Sequence, residues 1–219
     1  MPLRSQQDAS VPARLARPLL LVISAPSGAG KSALCARLRA DFPGMAYSVS
    51  CTTRAPRGEE RDGREYHFLA PEAFERKLQA GEFLEWAKVH DQRYGTLRVP
   101  VEAELRAGRD VLMDIDVQGA ARIRAAARHG GQNGLLQRAF VDIFVTPPSL
   151  AVLRQRMTGR AENAAADIEM RLRNAGKELR RWREYRYLLI NDRFDEAYTE
   201  LKCIVVAEHC RNMDVETSL

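Results

Sequence analysis

The passage LLLVISAPSGAGKSALCARLRADF, residues 19–42, constrains the fold of this chain more than any other. It opens on LLLVIS (19–24), an apolar run too short for a buried helix. Such a run, leading straight into glycines, reads as a strand covered on both faces. Leu34, Leu38 and Phe42 then recur at helical spacing until Phe42-Pro43-Gly44 stops the helix. Strand, Gly-rich turn and helix together form the setting in which backbone N–H groups converge on phosphate oxygens. The turn departs from G-x-x-x-x-G-K-[ST] at one position, where Ala25 replaces the first glycine. Pro26 biases Ala25 toward extended angles, so a methyl there is tolerable. Gly28 and Gly30 let the chain double back, Lys31 offers a charge to the β and γ phosphates, and Ser32 offers a hydroxyl to Mg²⁺. Residues Ala25, Pro26, Ser27, Gly28, Ala29, Gly30, Lys31 and Ser32 are therefore expected to hold a nucleoside triphosphate, with Ser32 as the metal ligand.

The remaining pattern extends this unit into an α/β fold. Strands are expected at MAYSVS (45–50), EFLEWAKV (82–89), RDVLMDID (109–116), FVDIFV (140–145) and YRYLLIN (185–191). Helices are expected at 71–81, at 117–128, from about 149, at 163–182 with Ile168, Leu172, Ala175, Leu179 and Trp182 on one face, and at 194–210. The Gly-rich stretch 128–139 reads as a surface loop. Alternation of this kind gives a parallel sheet covered on both faces, with ligands at the carboxyl ends of its strands. The phosphate loop, Asp114 and Asp116, and Asn191 all fall at such ends.

Composition excludes some classes of function. No run approaches the ~18 apolar residues of a membrane span, and LLLVI lacks the cleavage site of a signal peptide. Of 219 residues, 34 are Lys or Arg and 29 Asp or Glu, a net charge of +5 that suits small polyanions as well as nucleic acid. No aromatic-basic module argues for nucleic acid. Cys35, Cys51, Cys203 and Cys210 form no C-x-x-C pair, which suggests reduced, mostly packed thiols in the cytoplasm.

The acceptor is written into SVSCTTRAPRGEERDGREYHF (48–68) and the segments downstream of it. Arg54 and Arg57, with Ser50 and Tyr66 nearby, suit a phosphate held by forked hydrogen bonds. Further along the chain lie Glu85, Tyr94-Gly95-Thr96, Asp114 and Asp116. Guanine presents N1–H and N2–H donors to a carboxylate and O6 to a hydroxyl. Glu85 with Thr96 or Ser50 supplies that pattern, and adenine would leave it unpaired.

Taken together, SAPSGAGKS, TTRAPRGE, GEFLEWAKVHDQRYGT, DIDVQGA, TPPSLAVLRQRMTGR and YLLINDRFDEAYTELK resemble guanylate kinases of the bacterial type, in order and spacing, over residues 19–210. The resemblance implies a P-loop nucleoside monophosphate kinase fold, and ATP with Mg²⁺ as phosphoryl donor. It implies GMP or dGMP as acceptor. Ser50, Arg54, Arg57, Tyr66 and Tyr94 would hold the acceptor phosphate. Glu85, Thr96 and Asp116 would read the base. Asp114 resembles a Walker-B carboxylate facing Arg54 or a metal-bound water. Arg156, Arg160 and Arg171 would close over the transferring group as a lid, with Asn191 and Arg156 near the adenine.

The implied organisation is a flexible arm at 1–18, a core at 19–51, 97–153 and 173–212, a GMP-binding lobe at 52–96, a lid at 154–172 and a tail at 213–219. Ala161 and Asn163 depart from the family's lid pattern, and 128–139 is longer than typical. Cys51 lies inside the acceptor segment, where alkylation is expected to crowd GMP. Two rivals remain: a non-catalytic module of the same fold that binds proteins, and a phosphate-loop kinase for another acceptor. The first typically lacks the loop lysine or arginines present here, and Glu85 with the arginine pair weighs against the second.

Overall fold

The structure, a computed structural model, describes residues 17–89, 91–129, 134–158 and 165–211. Its core is a five-stranded sheet built from β1 (Leu20–Ser24), β2 (Ala46–Tyr47), β7 (Val111–Asp114), β8 (Phe140–Thr146) and β9 (Tyr187–Ile190). The order is β2-β7-β1-β8-β9, and every pairing is parallel. β1 and β8 are buried almost throughout, which is why their sequences read as apolar runs and not as alternations. One face is covered by α1 (Lys31–Asp41) and α8 (Phe194–Cys210), through Leu34, Leu38, Leu201 and Val205. The other carries α3 (Arg98–Arg106), α4 (Val117–Arg128) and α5 (Leu135–Ala139), through Val101, Leu105, Ile123 and Leu136.

A second sheet projects from the core. It comprises β3 (Cys51–Thr52), β4 (His67–Phe68), β5 (Phe83–Val89) and β6 (Gln92–Leu97) in the order β4-β3-β6-β5. Its small core of Cys51, Phe74 and Phe83 is roofed by α2 (Pro71–Gln79), which has proline in its first turn. α6 (Leu150–Thr158) and α7 (Ala165–Leu179) form a helical pair over the carboxyl end of the sheet. Leu153, Met157, Ile168, Leu172 and Ala175 are their common core.

Several sequence expectations are corrected here. MAYSVS is a strand only at Ala46–Tyr47, in the core sheet; the chain then leaves that sheet, and Cys51–Thr52 just beyond it opens the second one. Within 128–139, the described part is not simply a surface loop: Leu135–Ala139 is helical and buries Leu136 and Ala139. The 163–182 helix stops at Leu179, and Trp182 sits exposed in a 3₁₀ turn at Trp182–Glu184. Cys203 and Cys210 are exposed on α8, not packed. The arm 1–18 is described only at Arg17 and Pro18, where Arg17 Nη2 reaches Glu208 Oε2 at 3.4 Å. The rest of the arm and the tail 213–219 lie outside the described residues.

A buried ion pair fastens α4 to β8. Arg124 Nε donates to Asp142 Oδ2 at 2.8 Å, and the Arg186 backbone N–H donates to Asp142 Oδ1 at 2.9 Å. Removing only the arginine would leave a carboxylate almost wholly out of water. Arg124→Ala is expected to cost about 3–5 kcal/mol, measured as a fall in the urea midpoint at constant slope. A loss below about 1 kcal/mol would mean that water reaches Asp142.

Candidate active site

The loop after β1 adopts the conformation its glycines allow. Gly28 has φ 86° and Gly30 φ 90°, both left-handed. A Cβ on Gly30 would lie 2.3 Å from Asn191 Nδ2, so side chains other than hydrogen are excluded there. That same Nδ2 donates to Ala29 O at 2.7 Å and pins the loop to the end of β9. Ala25 is buried in the apolar cluster beneath the loop, where its methyl finds contact, so the missing glycine leaves no gap. Ser27 and Ser32 are exposed on the loop's open side.

Lys31 opens α1 and reaches across to β7. Its Nζ donates to Ile115 O at 3.0 Å and forms an ion pair with Asp114. Asp114 therefore faces Lys31 as its partner. The expected partner Arg54 bonds elsewhere, its Nη2 lying 2.9 Å from Glu60. Asp116 caps α4, accepting from the Gln118 and Gly119 N–H groups at 3.1 and 2.7 Å.

Between the two sheets lies a cavity of about 260 Å³. Lys31, Ser50, Tyr66, Glu85, Tyr94, Asp114 and Asp116, all singled out in the sequence, line it. Glu85 in its wall is buried and accepts from Thr96 Oγ1 at 2.8 Å. Burial is the main force on its carboxyl, helped by the nearby charge of Asp116, and pushes its pKa up to about 7. α4 can approach this carboxylate only because residue 119 is glycine: a Cβ there would meet Glu85 Oε2 at 2.7 Å. The Arg54 guanidinium lies 5.3 Å from the Tyr66 ring centroid, and the Tyr66 and Tyr94 rings meet edge-on at 5.8 Å.

Other expected residues stand apart. Arg57 is exposed and is not among the residues lining the cavity, its backbone N–H donating to Glu60 Oε2 at 2.8 Å. Arg156 Nη2 donates to Asp192 O at 3.0 Å, close to Asn191 and the loop. Arg171 is half-buried on α7. Arg160, Ala161 and Asn163 lie outside the described residues. Cys51 is turned away from the cavity into the second sheet's own core, and burial raises its pKa to about 11. Alkylation of Cys51 as a direct block on the cavity is thus withdrawn.

Sequence reasoning missed Glu60, which orients Arg54 and ties down the Arg57 turn. It also missed Glu178 on α7, which lines a cleft of about 490 Å³ sharing Val89 and Asp116 with the cavity. Neither belongs to a recognisable spacing. Both are placed by loop or helix packing alone.

Comparison with known proteins agrees over nearly the whole chain. The family model for guanylate kinase matches residues 17–208. A guanylate kinase of Mesorhizobium japonicum is 44% identical over 195 residues, covering 89% of this chain and 85% of its own. One from Geobacter sulfurreducens is 41% identical over 197 residues, covering 90% and 92%. The crystal structure of guanylate kinase from Anaplasma phagocytophilum superposes with a TM-score of 0.70 at 30% identity, covering 90% of this chain and 89% of that one. With its P-loop at the end of β1, its parallel core and these relatives, the chain belongs to the guanylate kinase family.

Proposed function

We propose that the cavity between the two sheets is the GMP site of an ATP:GMP phosphotransferase, and that the loop before α1 holds the ATP phosphates. The observation that carries this reading is Glu85. It is a buried carboxylate, hydrogen-bonded to Thr96, in the wall of a cavity that Lys31 and Asp114 also line. A carboxylate at that depth demands donors from its ligand, and guanine brings two. Deoxyguanosine monophosphate satisfies the same base-reading groups.

Arg54, Ser50, Tyr66 and Tyr94 face the acceptor phosphate. Glu60 and the two aromatic rings hold Arg54 in place before substrate arrives, which lowers the ordering cost on binding. The acceptor phosphate is already ionised near neutral pH, so the chain supplies no general base. An acceptor oxygen forms the new bond to the γ phosphorus as the bond to the β–γ bridging oxygen breaks, and ADP leaves. Lys31 stands between the loop and the cavity, where it stabilises charge on the moving group. Arg156 on α6 and Arg171 on α7 are assigned further positive charge for the moving group, as is Arg160 by sequence alone, and Asn191 holds the loop through Ala29 O.

The residues present fit Mg²⁺. Ser32 and Asp114 are hard oxygen donors, and among the described residues no cluster of three acidic, His or Cys side chains would cage a metal. Magnesium suits this, because it keeps water and phosphate oxygens as most of its ligands. When bound it would offset charge on the β and γ phosphates. Among the described residues no helix is long and apolar enough to cross a membrane, and the reading places the enzyme in the cytoplasm.

The test is ADP release with ATP and Mg²⁺ against GMP, AMP, CMP and UMP. Turnover with GMP should exceed the others by at least about 10³-fold in kcat/KM. Comparable turnover of AMP would remove the role given to Glu85. Absence of turnover with every acceptor, alongside normal GMP binding, would favour the non-catalytic module.

A further inference from the structure

The core sheet ends at β9, whose outer edge has no neighbouring strand among the described residues. Tyr187 and Leu189 turn toward α1 and α8 and join that apolar cluster. Leu188 and Ile190 turn to the opposite face. There α3, α4 and α5 cover β7, β1 and β8, and the buried cluster they form includes no residue of β9. Leu188 remains 42% exposed and Ile190 52%, with Trp182 at 39% and Leu150 at 49% beside them. With Phe144 and Leu179 these four line an apolar depression of about 310 Å³. Their exposed surface is on the order of 300–400 Å², the size at which an apolar patch on a monomer usually serves an interaction.

Natural edge strands are blunted by shortness, by a covering helix or loop, or by a lysine, a proline or a bulge within the strand. β9 is short, and the last three are the devices to look for inside it. Tyr187-Leu188-Leu189-Ile190 carries none of these. Charge appears only at the flanks, as Arg186 before the strand and Asp192 after it, both exposed. Arg186 Nη1 lies 3.3 Å from Glu208 Oε1 on α8 and would have to leave or share that partner to meet a second copy. This arrangement is self-complementary. When two such strands run antiparallel about an axis through Leu189, Leu188 falls opposite Ile190 of the second copy and Arg186 opposite its Asp192. A shift of one residue breaks both matches at once. We propose that β9 pairs antiparallel with β9 of a second copy of this chain, in that register. The result is a two-fold dimer with one sheet continuous across ten strands. The two patches would supply about half of the roughly 1,600 Å² that a stable interface buries, and the strand edges and polar flanks the rest. Opposite charges at the flanks set the register more than the affinity.

Sedimentation of the full chain between roughly 1 and 100 µM tests this, with Trp182 emission followed alongside. The wild type should pass from monomer to dimer, and Trp182 should shift to the blue. Leu188→Lys with Ile190→Lys should weaken the dimer by roughly 100-fold, with GMP turnover and circular dichroism unchanged, since both side chains are exposed and outside the nucleotide site. Asp192→Lys should weaken it roughly tenfold, and less at high salt. A wild type that stays monomeric throughout overturns the proposal. So does a dimer indifferent to the double lysine variant, which would place the interface elsewhere. A dimer indifferent to Asp192→Lys overturns the register. A monomer that dimerises only when residues 1–16 are removed would mean that the chain's own N-terminal segment covers β9, and also overturns it.

Discussion

Lys31→Ala is expected to lower kcat for GMP-dependent ADP release by about 10³-fold, with a smaller change in the KM for GMP. The geometry gives two reasons. An ammonium has three protons, and Lys31 spends two of them on Ile115 O and Asp114. The stem is thereby stretched from α1 to the end of β7, with one proton left for a phosphate oxygen. Removing the side chain takes away that charge. It also exposes the Asp114 carboxylate, now unpaired, to the incoming phosphates, so attraction is replaced by repulsion. Lys31→Arg should not restore the rate, because a planar guanidinium cannot occupy the place of a compact ammonium between a carbonyl and a carboxylate. Single-turnover measurements at saturating ATP and GMP separate this from weakened binding. A fall of less than tenfold in the Lys31→Ala chemical step would show that the lid arginines carry the charge stabilisation without it.

How much of this site the sequence discloses depends on whether a contact is local. The loop, Pro71 at the start of α2 and the full span 194–210 of α8 are legible because their causes lie within a few residues of chain. Glu85 and Thr96 are legible as a donor-and-acceptor pair, and the structure joins them by a hydrogen bond, with Glu85 and Asp116 lining one cavity. What cannot be read is orientation across a change of sheet. Between Tyr47 and Cys51 the chain leaves one sheet for another, and no periodicity in MAYSVS marks it. For the same reason nothing local says that Cys51 faces Phe74 while Ser50 faces the cavity. Partner choice is equally hidden: the sequence offers Asp114 to Arg54 or to a metal-bound water, and only the packing of α1 against β7 brings Lys31 to it. Asp142 reads as an odd residue in an apolar strand until Arg124, eighteen residues away, closes on it.

Glu85→Gln is expected to reduce kcat/KM for GMP by about 10³-fold and to raise the stability of the enzyme without ligand. Both effects come from one buried carboxylate. Its folded pKa, about 7, lies above the ordinary value of 4.5. A raised acid favours its neutral form, so the folded state is at its most stable, for this group, below about pH 4.5. That stability is lost as the pH rises through 7 and the buried group ionises, by roughly 3 kcal/mol. Glutamine never ionises, so the variant should melt higher than the wild type at pH 8 and nearly equal to it at pH 4. Binding runs the other way. Guanine N1–H and N2–H need the carboxylate, and the amide of glutamine turns a donor against a donor. The wild-type KM for GMP should therefore rise as the pH falls below 7, about tenfold between pH 8 and pH 6. GMP's own phosphate also gains a proton near pH 6, and the profile of the glutamine variant isolates that part. The difference between the two profiles belongs to Glu85. A wild-type KM that tracks the variant's across this range would place the ionisation of Glu85 outside base recognition. A variant no more stable at pH 8 would mean that Thr96 and water already satisfy the charge.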